Sequence, residues 1–340
     1  MNTQTLKATA AAMVAEDRGL LAMDESNPTC NKRFAAAGIA QTEESRRQYR
    51  ELLVTTPGLG EYISGAILYD ETIRQKTEDG VPFADVLVAA GIVPGIKVDI
   101  GAKTMAGHEG EKITEGLDGL RGRLAEYRQM GARFAKWRAV LVLGEGLPSR
   151  GCIEANAQAL ARYAALCQES ELVPVVEPEL LMDGGHSSEL CGETTEEILW
   201  TVFDQFYTQR VALEGLILKT NMVLPGLDCP QQPTADEAAN ATLTCLRRVV
   251  PAAVAGVAFL SGGQSGDLAS SRLNAIILNS RLRRPWPLTF SFARALQTPA
   301  LEIWGGNKSN VAVAQKALLH RAHCNRAARR GEYNVGVEGQ

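Results

Sequence analysis

Histidine is scarce in this chain. Only four occur in 340 residues, at 108, 186, 320 and 323, and none forms an HxH or HExxH pair. A protein-held transition metal needs several clustered nitrogen, sulfur or carboxylate ligands, so no metal and no cofactor are expected. His320 and His323, three apart in a basic helical stretch, read as solvated surface. The seven cysteines, at 30, 152, 167, 191, 229, 245 and 324, are odd in number and lack CxxC spacing. That speaks against a disulfide framework and for free thiols in a reducing compartment.

Long apolar runs are missing as well. The longest, 249–260, falls short of the roughly 20 residues a membrane span needs. The opening segment, MNTQTLKATAAAMVAEDRG, has no long apolar core between a basic start and a cleavage site. It reads as a helix over about 1–18 and not as a secretory signal, and the expected compartment is the cytoplasm. Charge of one sign is not in excess: the formal net charge is −4, which gives no global attraction to nucleic acid or anionic lipid. No Ser/Gly/Pro-rich linker divides the chain, so one domain over 1–340 is expected, ending in a short tail over about 331–340.

What the sequence has is rhythm. Short β-rich runs alternate with longer segments of helical period. The strand candidates are 19–24 (GLLAMD), 63–70 (ISGAILYD), 93–98 (VPGIKV), 133–138 (RFAKWR), 172–179 (LVPVVEPE), 214–220 (EGLILKT), 255–263 (AGVAFLSGG) and 288–294 (LTFSFAR). Between them, Ile153, Ala157, Leu160, Ala164 and Cys167 follow the spacing of a buried helix face. Thr194 with Glu197, and Thr234 with Glu237, have the spacing of capping boxes that open two further helices. Eight strands with helical crossovers at a period of roughly 40 residues predict an α/β fold, a single (β/α)8 TIM barrel. The rival is an open doubly wound sheet, which places its site beside a Gly-rich first turn that GLLAMDES does not supply.

The strand ends are unusually charged: Asp24, Tyr69–Asp70, Lys97, Lys136, Glu177 with Glu179, Lys219, Ser261, and Ser291 with Arg294. A barrel gathers these C-terminal ends on one face. One lysine ending an apolar strand commonly snorkels; three, arriving with carboxylates, suggest chemistry. An ordinary lysine is neutral about once in two thousand at pH 7, and nearby cations or burial raise that fraction. A neutral amine attacks a ketone to give a Schiff base, whose iminium stabilises a carbanion on the neighbouring carbon. Glu177 and Glu179 alternate around Pro178, so both can face the mouth for proton transfer, with a salt bridge to the lysines as the structural alternative. Asp24 suits a base toward a substrate hydroxyl, or a helix cap.

Two segments look like phosphate sites. FLSGGQSG (259–266) follows the seventh strand and SFAR (291–294) ends the eighth, the usual barrel location for a phosphate. Lys97 with Lys32–Arg33 could hold a second anion across the mouth, unless Lys32 and Arg33 are merely solvated.

The motifs DES (24–26), GIKVD (95–99), FAKWR (134–138), VEPE (176–179), LILK (216–219), FLSGGQS (259–265) and SFARAL (291–296) resemble class I fructose-bisphosphate aldolase. TEESRRQYRELL, TEGLDGL and EANAQALARYAALC extend the likeness over essentially the whole chain, and SNPTCNKRF (26–34) resembles the plant and cyanobacterial branch. The resemblance implies a Schiff base between Lys219 and carbon 2 of the ketose bisphosphate. It implies proton transfer by Glu177 with Lys136 and Glu179, and Asp24 as base for the carbon 4 hydroxyl. Ser261, Gly262, Ser291 and Arg294 would hold the carbon 1 phosphate. Ser26, Thr29, Lys97 and Arg33 would hold the carbon 6 phosphate, with Arg138 supporting the network. It also implies a homo-oligomer, a tetramer as is common in the family, and leaves sedoheptulose 1,7-bisphosphate open as a second substrate. A plastid protein stripped of its transit segment would read the same as a cytoplasmic one.

This chain departs from the family pattern in three places. Thr220 replaces the proline after the Schiff-base lysine, and Phe292–Ala293 stands where YG is common. The tail ends GEYNVGVEGQ without a terminal tyrosine, leaving Tyr333 as a weak stand-in. The alternative that Thr220 and Ala293 motivate is a catalytically weakened barrel kept for binding or scaffolding. A metal-dependent aldolase lacks the histidines it needs.

Overall fold

The structure is a computed structural model and describes residues 3–280 and 284–339. Eight parallel strands close into a barrel in sequential order, the last pairing with the first. They are β1 (Gly19–Ala22), β2 (Ile63–Leu68), β3 (Val93–Lys97), β4 (Phe134–Leu141), β5 (Val173–Leu180), β6 (Ile217–Thr220), β7 (Gly256–Phe259) and β8 (Leu288–Phe292). Each falls on one of the eight expected runs. The sixth is shorter than its motif, because Leu213–Gly215 forms a 3-10 turn before the strand begins. A small antiparallel hairpin, Ala102–Thr104 with Lys112–Thr114, follows β3.

Strand periodicity sorts side chains into two cores. Trp137, Val176 and Leu218 point outward, into the large core beneath the helices. Leu20, Ala22, Ile67, Phe134, Val173, Val175, Ile217 and Ala258 belong to an inner core. There they meet Leu6, Ala10 and Met13 of α1 (Thr3–Met13), all fully buried. The first helix therefore seals the barrel at its N-terminal end. Gly95 makes room for this filling: a Cβ there would lie 2.2 Å from the Phe134 ring. Moving up each strand in steps of two, Ile217 is followed by Lys219, Phe134 by Lys136 and Val175 by Glu177. The inner row changes from hydrocarbon to charge at one height.

The helices mostly start where their caps predict. The 150–169 stripe is buried as expected, on a helix opened by Ser149, whose hydroxyl accepts from Cys152 N. Thr234 and Glu237 form a reciprocal capping box. Thr194 and Glu197 do not. They lie inside the helix Ser188–Thr208, which Ser187 caps, and Thr194 faces the core. The apolar stripe runs unbroken through Cys191, Ile198 and Val202, so nothing stops the helix from starting a turn and a half earlier.

His320 and His323 are half-buried, not solvated. The His323 ring meets Tyr62 edge-on at 5.7 Å, and His320 Nε2 lies 3.5 Å from Cys324 Sγ. Ligand atoms of His320, Cys324 and Glu338 approach within 4.8 Å of one another. The Glu338 carboxylate is already engaged by Arg321 and, at 2.5 Å, by the Tyr333 hydroxyl. The cluster ties residues 333–338 to the last long helix. Among the described residues, no helix is long and apolar enough to cross a membrane.

Candidate active site

All the sequence-predicted site residues line one cavity of about 1040 Å3 at the C-terminal mouth of the barrel: Asp24, Ser26, Thr29, Arg33, Lys97, Lys136, Arg138, Glu177, Glu179, Lys219, Ser261, Gly262, Ser291 and Arg294. Lys32 lines it too. Its floor is the charged tier above the inner core.

The three lysines of the strand ends do not stand as direct neighbours of one another. Carboxylates are interleaved with them. Lys219 Nζ lies 2.8 Å from Glu177 Oε1. The other oxygen of Glu177 lies 2.9 Å from Lys136 Nζ, which reaches Asp24 at 2.8 Å. Lys97 pairs with Asp99 at 2.6 Å. The result is a continuous chain, Lys219–Glu177–Lys136–Asp24, whose members are all at least nine-tenths buried. Burial alone would favour neutral Asp24, but Lys136 and Lys219 outweigh it and hold its carboxyl at about 2. The same balance, with Lys136, Lys219 and Arg138 prevailing over burial, keeps Glu177 below the ordinary carboxylate range. Burial is likewise overcome at Lys136, whose ammonium is stabilised by Asp24 and Glu177.

Asp24 is not a helix cap. The helix that follows, α2 (Asn27–Ala36), takes Ser26 as its N-cap residue. Glu179 bonds Arg138 at 2.5 Å and not a lysine, so its structural partner is the residue expected to support the network. Thr29 sits on the first turn of α2 with its hydroxyl 3.1 Å from that of Ser26.

On the other side of the mouth, Gly262 and Gly263 adopt φ of 57° and 86°, left-handed conformations that glycine takes without strain. A Cβ on Gly263 would come within 3.5 Å of the Arg294 guanidinium, so this loop and the start of the helix Arg294–Trp304 flank one space. Ser291, the strand neighbour of Leu20, adds a buried hydroxyl that has no partner among the described residues. Two family departures leave the backbone intact here. Ala293 has φ of −105° and ψ of −90°, on the negative-φ side where glycine is not required. Thr220 continues β6, its carbonyl accepting from Leu260 N at 3.0 Å, which a proline in its place would also allow.

Sequence reasoning passed over three groups. Asp99 lies just beyond β3, and its two oxygens take Lys97 and the Arg138 amide. Glu25 and Arg50 form a buried pair behind Arg33. Burial opposes ionisation of Glu25, and Arg50 and Arg33 override it. Asp99 and Glu25 stood inside the quoted motifs, and their charge next to Val98 and Asp24 was the available signal.

Comparison with known proteins shows the family. The family model described as "Fructose-bisphosphate aldolase class-I" matches residues 5–340. A "Probable fructose-bisphosphate aldolase class 1" of Xanthomonas axonopodis pv. citri is 54% identical over 334 residues, covering 98% of this chain and 99% of the relative. "Fructose-bisphosphate aldolase 4, cytosolic" of Arabidopsis thaliana is 49% identical, covering 98% of this chain and 84% of the relative. The crystal structure of the Plasmodium falciparum aldolase, in complex with TRAP and a small-molecule inhibitor, superposes with a TM-score of 0.96 at 48% identity. The match covers 98% of this chain and 96% of that one.

Proposed function

The chain belongs to the class I fructose-bisphosphate aldolase family, and we propose that it cleaves fructose 1,6-bisphosphate reversibly through a Schiff base on Lys219. One observation carries the reading: Glu177 bridges Lys219 and Lys136, and Lys136 reaches on to Asp24, with every link at 2.8–2.9 Å.

Glu177 accepts the proton that Lys219 must shed before its nitrogen adds to the carbon 2 ketone. The carbinolamine oxygen then receives a proton from Glu177 and leaves as water, giving the iminium. Asp24 takes the proton of the carbon 4 hydroxyl, and the bond between carbons 3 and 4 breaks. Its electron pair moves into the iminium to give an enamine, and glyceraldehyde 3-phosphate departs. Protonation at carbon 3 and hydrolysis release dihydroxyacetone phosphate and restore the amine. Lys136 holds Asp24 and Glu177 in register, and Glu179 with Arg138 supports the wall. Ser261, Gly262, Ser291 and Arg294 receive the carbon 1 phosphate; Ser26, Thr29, Arg33 and Lys97 receive that of carbon 6.

Borohydride reduction in the presence of dihydroxyacetone phosphate tests the assignment. The expected result is one covalent adduct, mapped to Lys219. An adduct on another lysine, or none, refutes it. A second measurement addresses the phosphate side. Arg294 is exposed at the rim, so Arg294→Ala should leave stability nearly untouched while raising KM about 10- to 100-fold, the loss of one charge-assisted hydrogen bond. Relative turnover of fructose and sedoheptulose bisphosphates decides whether the second is also a substrate.

The compartment we propose is the cytoplasm, in line with the cytosolic Arabidopsis relative. The assembly we propose is a homo-oligomer, a tetramer, which light scattering on the purified protein tests. Affinity for the plant and cyanobacterial branch rests on SNPTCNKRF, while the Xanthomonas relative is more similar than the Arabidopsis one.

A further inference from the structure

We infer that Arg50 is a positioning residue for substrate binding: it fixes Glu25, and Glu25 aims Arg33 at the second phosphate of the ketose bisphosphate. The inference rests on the reading of Ser26, Thr29, Arg33 and Lys97 as the carbon 6 phosphate subsite.

Arg50 lies on α3 (Glu43–Val54), is 2% exposed, and is not among the residues lining the cavity. Whatever it does for substrate, it does through another group. Its Nη1 donates to Glu25 Oε2 at 2.7 Å, and its Nη2 donates to the Glu25 backbone carbonyl at 3.1 Å. One planar guanidinium thus holds both the side chain and the main chain of Glu25. The other carboxylate oxygen takes Arg33 Nη1 at 2.5 Å and Gln297 Nε2 at 3.1 Å. Gln297 is itself fixed by the hydroxyl of Tyr49, the neighbour of Arg50, at 2.9 Å.

Two consequences follow for Arg33. Its orientation is set by a carboxylate that cannot turn. Its Nη2 remains buried and, among the described residues, without a partner, on a side chain that lines the cavity. A buried donor of this kind is poised for an anion. Charge counts as well. A pair of Arg33 with Glu25 alone would be neutral and would offer a phosphate little attraction. With Arg50 the triad carries one net positive charge, so Arg33 keeps its pull on an anion while remaining fixed.

The test compares two substrates that differ only at the far end. Fructose 1-phosphate lacks the second phosphate and makes no demand on Arg33. The measured quantity is the ratio of kcat/KM for fructose 1,6-bisphosphate to that for fructose 1-phosphate. Arg50→Met is expected to lower this ratio at least tenfold, chiefly through KM for the bisphosphate. Arg50→Lys should fall between, because one ammonium keeps the charge but cannot reach the carboxylate and the carbonyl together. A merely structural role would depress both substrates alike and leave the ratio at the parent value, which overturns the inference. Should Arg50→Met fail to fold, Arg50→Lys carries the test alone: a roughly threefold drop supports the inference, and an unchanged ratio overturns it. Arg33→Ala, measured alongside, separates the two layers. If it leaves the ratio in place, the subsite reading fails and this inference with it; if it collapses the ratio and the Arg50 variants do not, only the role of Arg50 is wrong.

Discussion

Replacing Lys219 with methionine is expected to lower kcat for fructose 1,6-bisphosphate cleavage by at least about 10⁴-fold, a loss typical of removing a covalent nucleophile. It should also end borohydride trapping by dihydroxyacetone phosphate. Methionine fills nearly the same volume in a site only 4% exposed, so no cavity opens. The partner left behind, Glu177, keeps Lys136 at 2.9 Å and is not stranded as an unpaired buried charge. The folded variant should therefore survive, and its unfolding midpoint in urea is the control. Turnover near that of the parent in a folded variant would refute the covalent route.

The larger effect on stability belongs to Lys136→Met. Lys136 is the cation shared by Asp24 and Glu177, at 2.8 and 2.9 Å, and is 4% exposed. Taking it away leaves two buried carboxylates close together, with Lys219 paired to only one of them. Breaking a buried pair in this way costs about 3–5 kcal/mol. Turnover should fall about 100-fold or more, because proton transfer at both ends of the chain loses its register. The pH dependence gives the sign. The Asp24 carboxyl sits at about 2, below its ordinary value of 3.8. Its ionised form therefore stabilises the fold above about pH 4, and that contribution disappears as pH falls through 2. In the variant, burial is opposed only by Lys219 and Lys97, without the paired Lys136 ammonium, so the Asp24 carboxyl rises. The stability gap between parent and variant should be widest near pH 7 and narrow steadily toward pH 3. A gap that stays constant across that range would mean the pairing is unimportant.

Much of the barrel was legible because its strands carry the pattern in the simplest form. Ile217 followed by Lys219, or Val175 by Glu177, places hydrocarbon and charge two residues apart on one face. That alternation reports both the strand and the height at which the interior turns polar. The cap at Thr234 was legible for the same reason, since capping box chemistry is local. Thr194 has the same local spacing but sits within a continuing apolar stripe, and tertiary burial overrides the cap. Arg50 was opaque. On an amphipathic helix an arginine reads as solvated, and only the approach of Glu25 from another element reveals it as buried. The phosphate loops fall between these cases: Gly262 and Gly263 announce a tight turn, but its opposition to Arg294 is a product of closure of the barrel.

The interleaved tier has one more consequence, for the energetics of the cycle. Lys97, Lys136 and Lys219 are matched by Asp24, Asp99 and Glu177, so these six groups sum to zero. An ammonium and the iminium that replaces it carry the same unit charge at the same nitrogen. The carboxylate aligned to one is therefore already aligned to the other, and condensation with the sugar asks for no rearrangement of the surrounding dipoles. What changes along the path is the location of single protons, moving over distances shorter than a hydrogen bond, inside walls whose electrostatic balance stays constant from resting enzyme to covalent adduct.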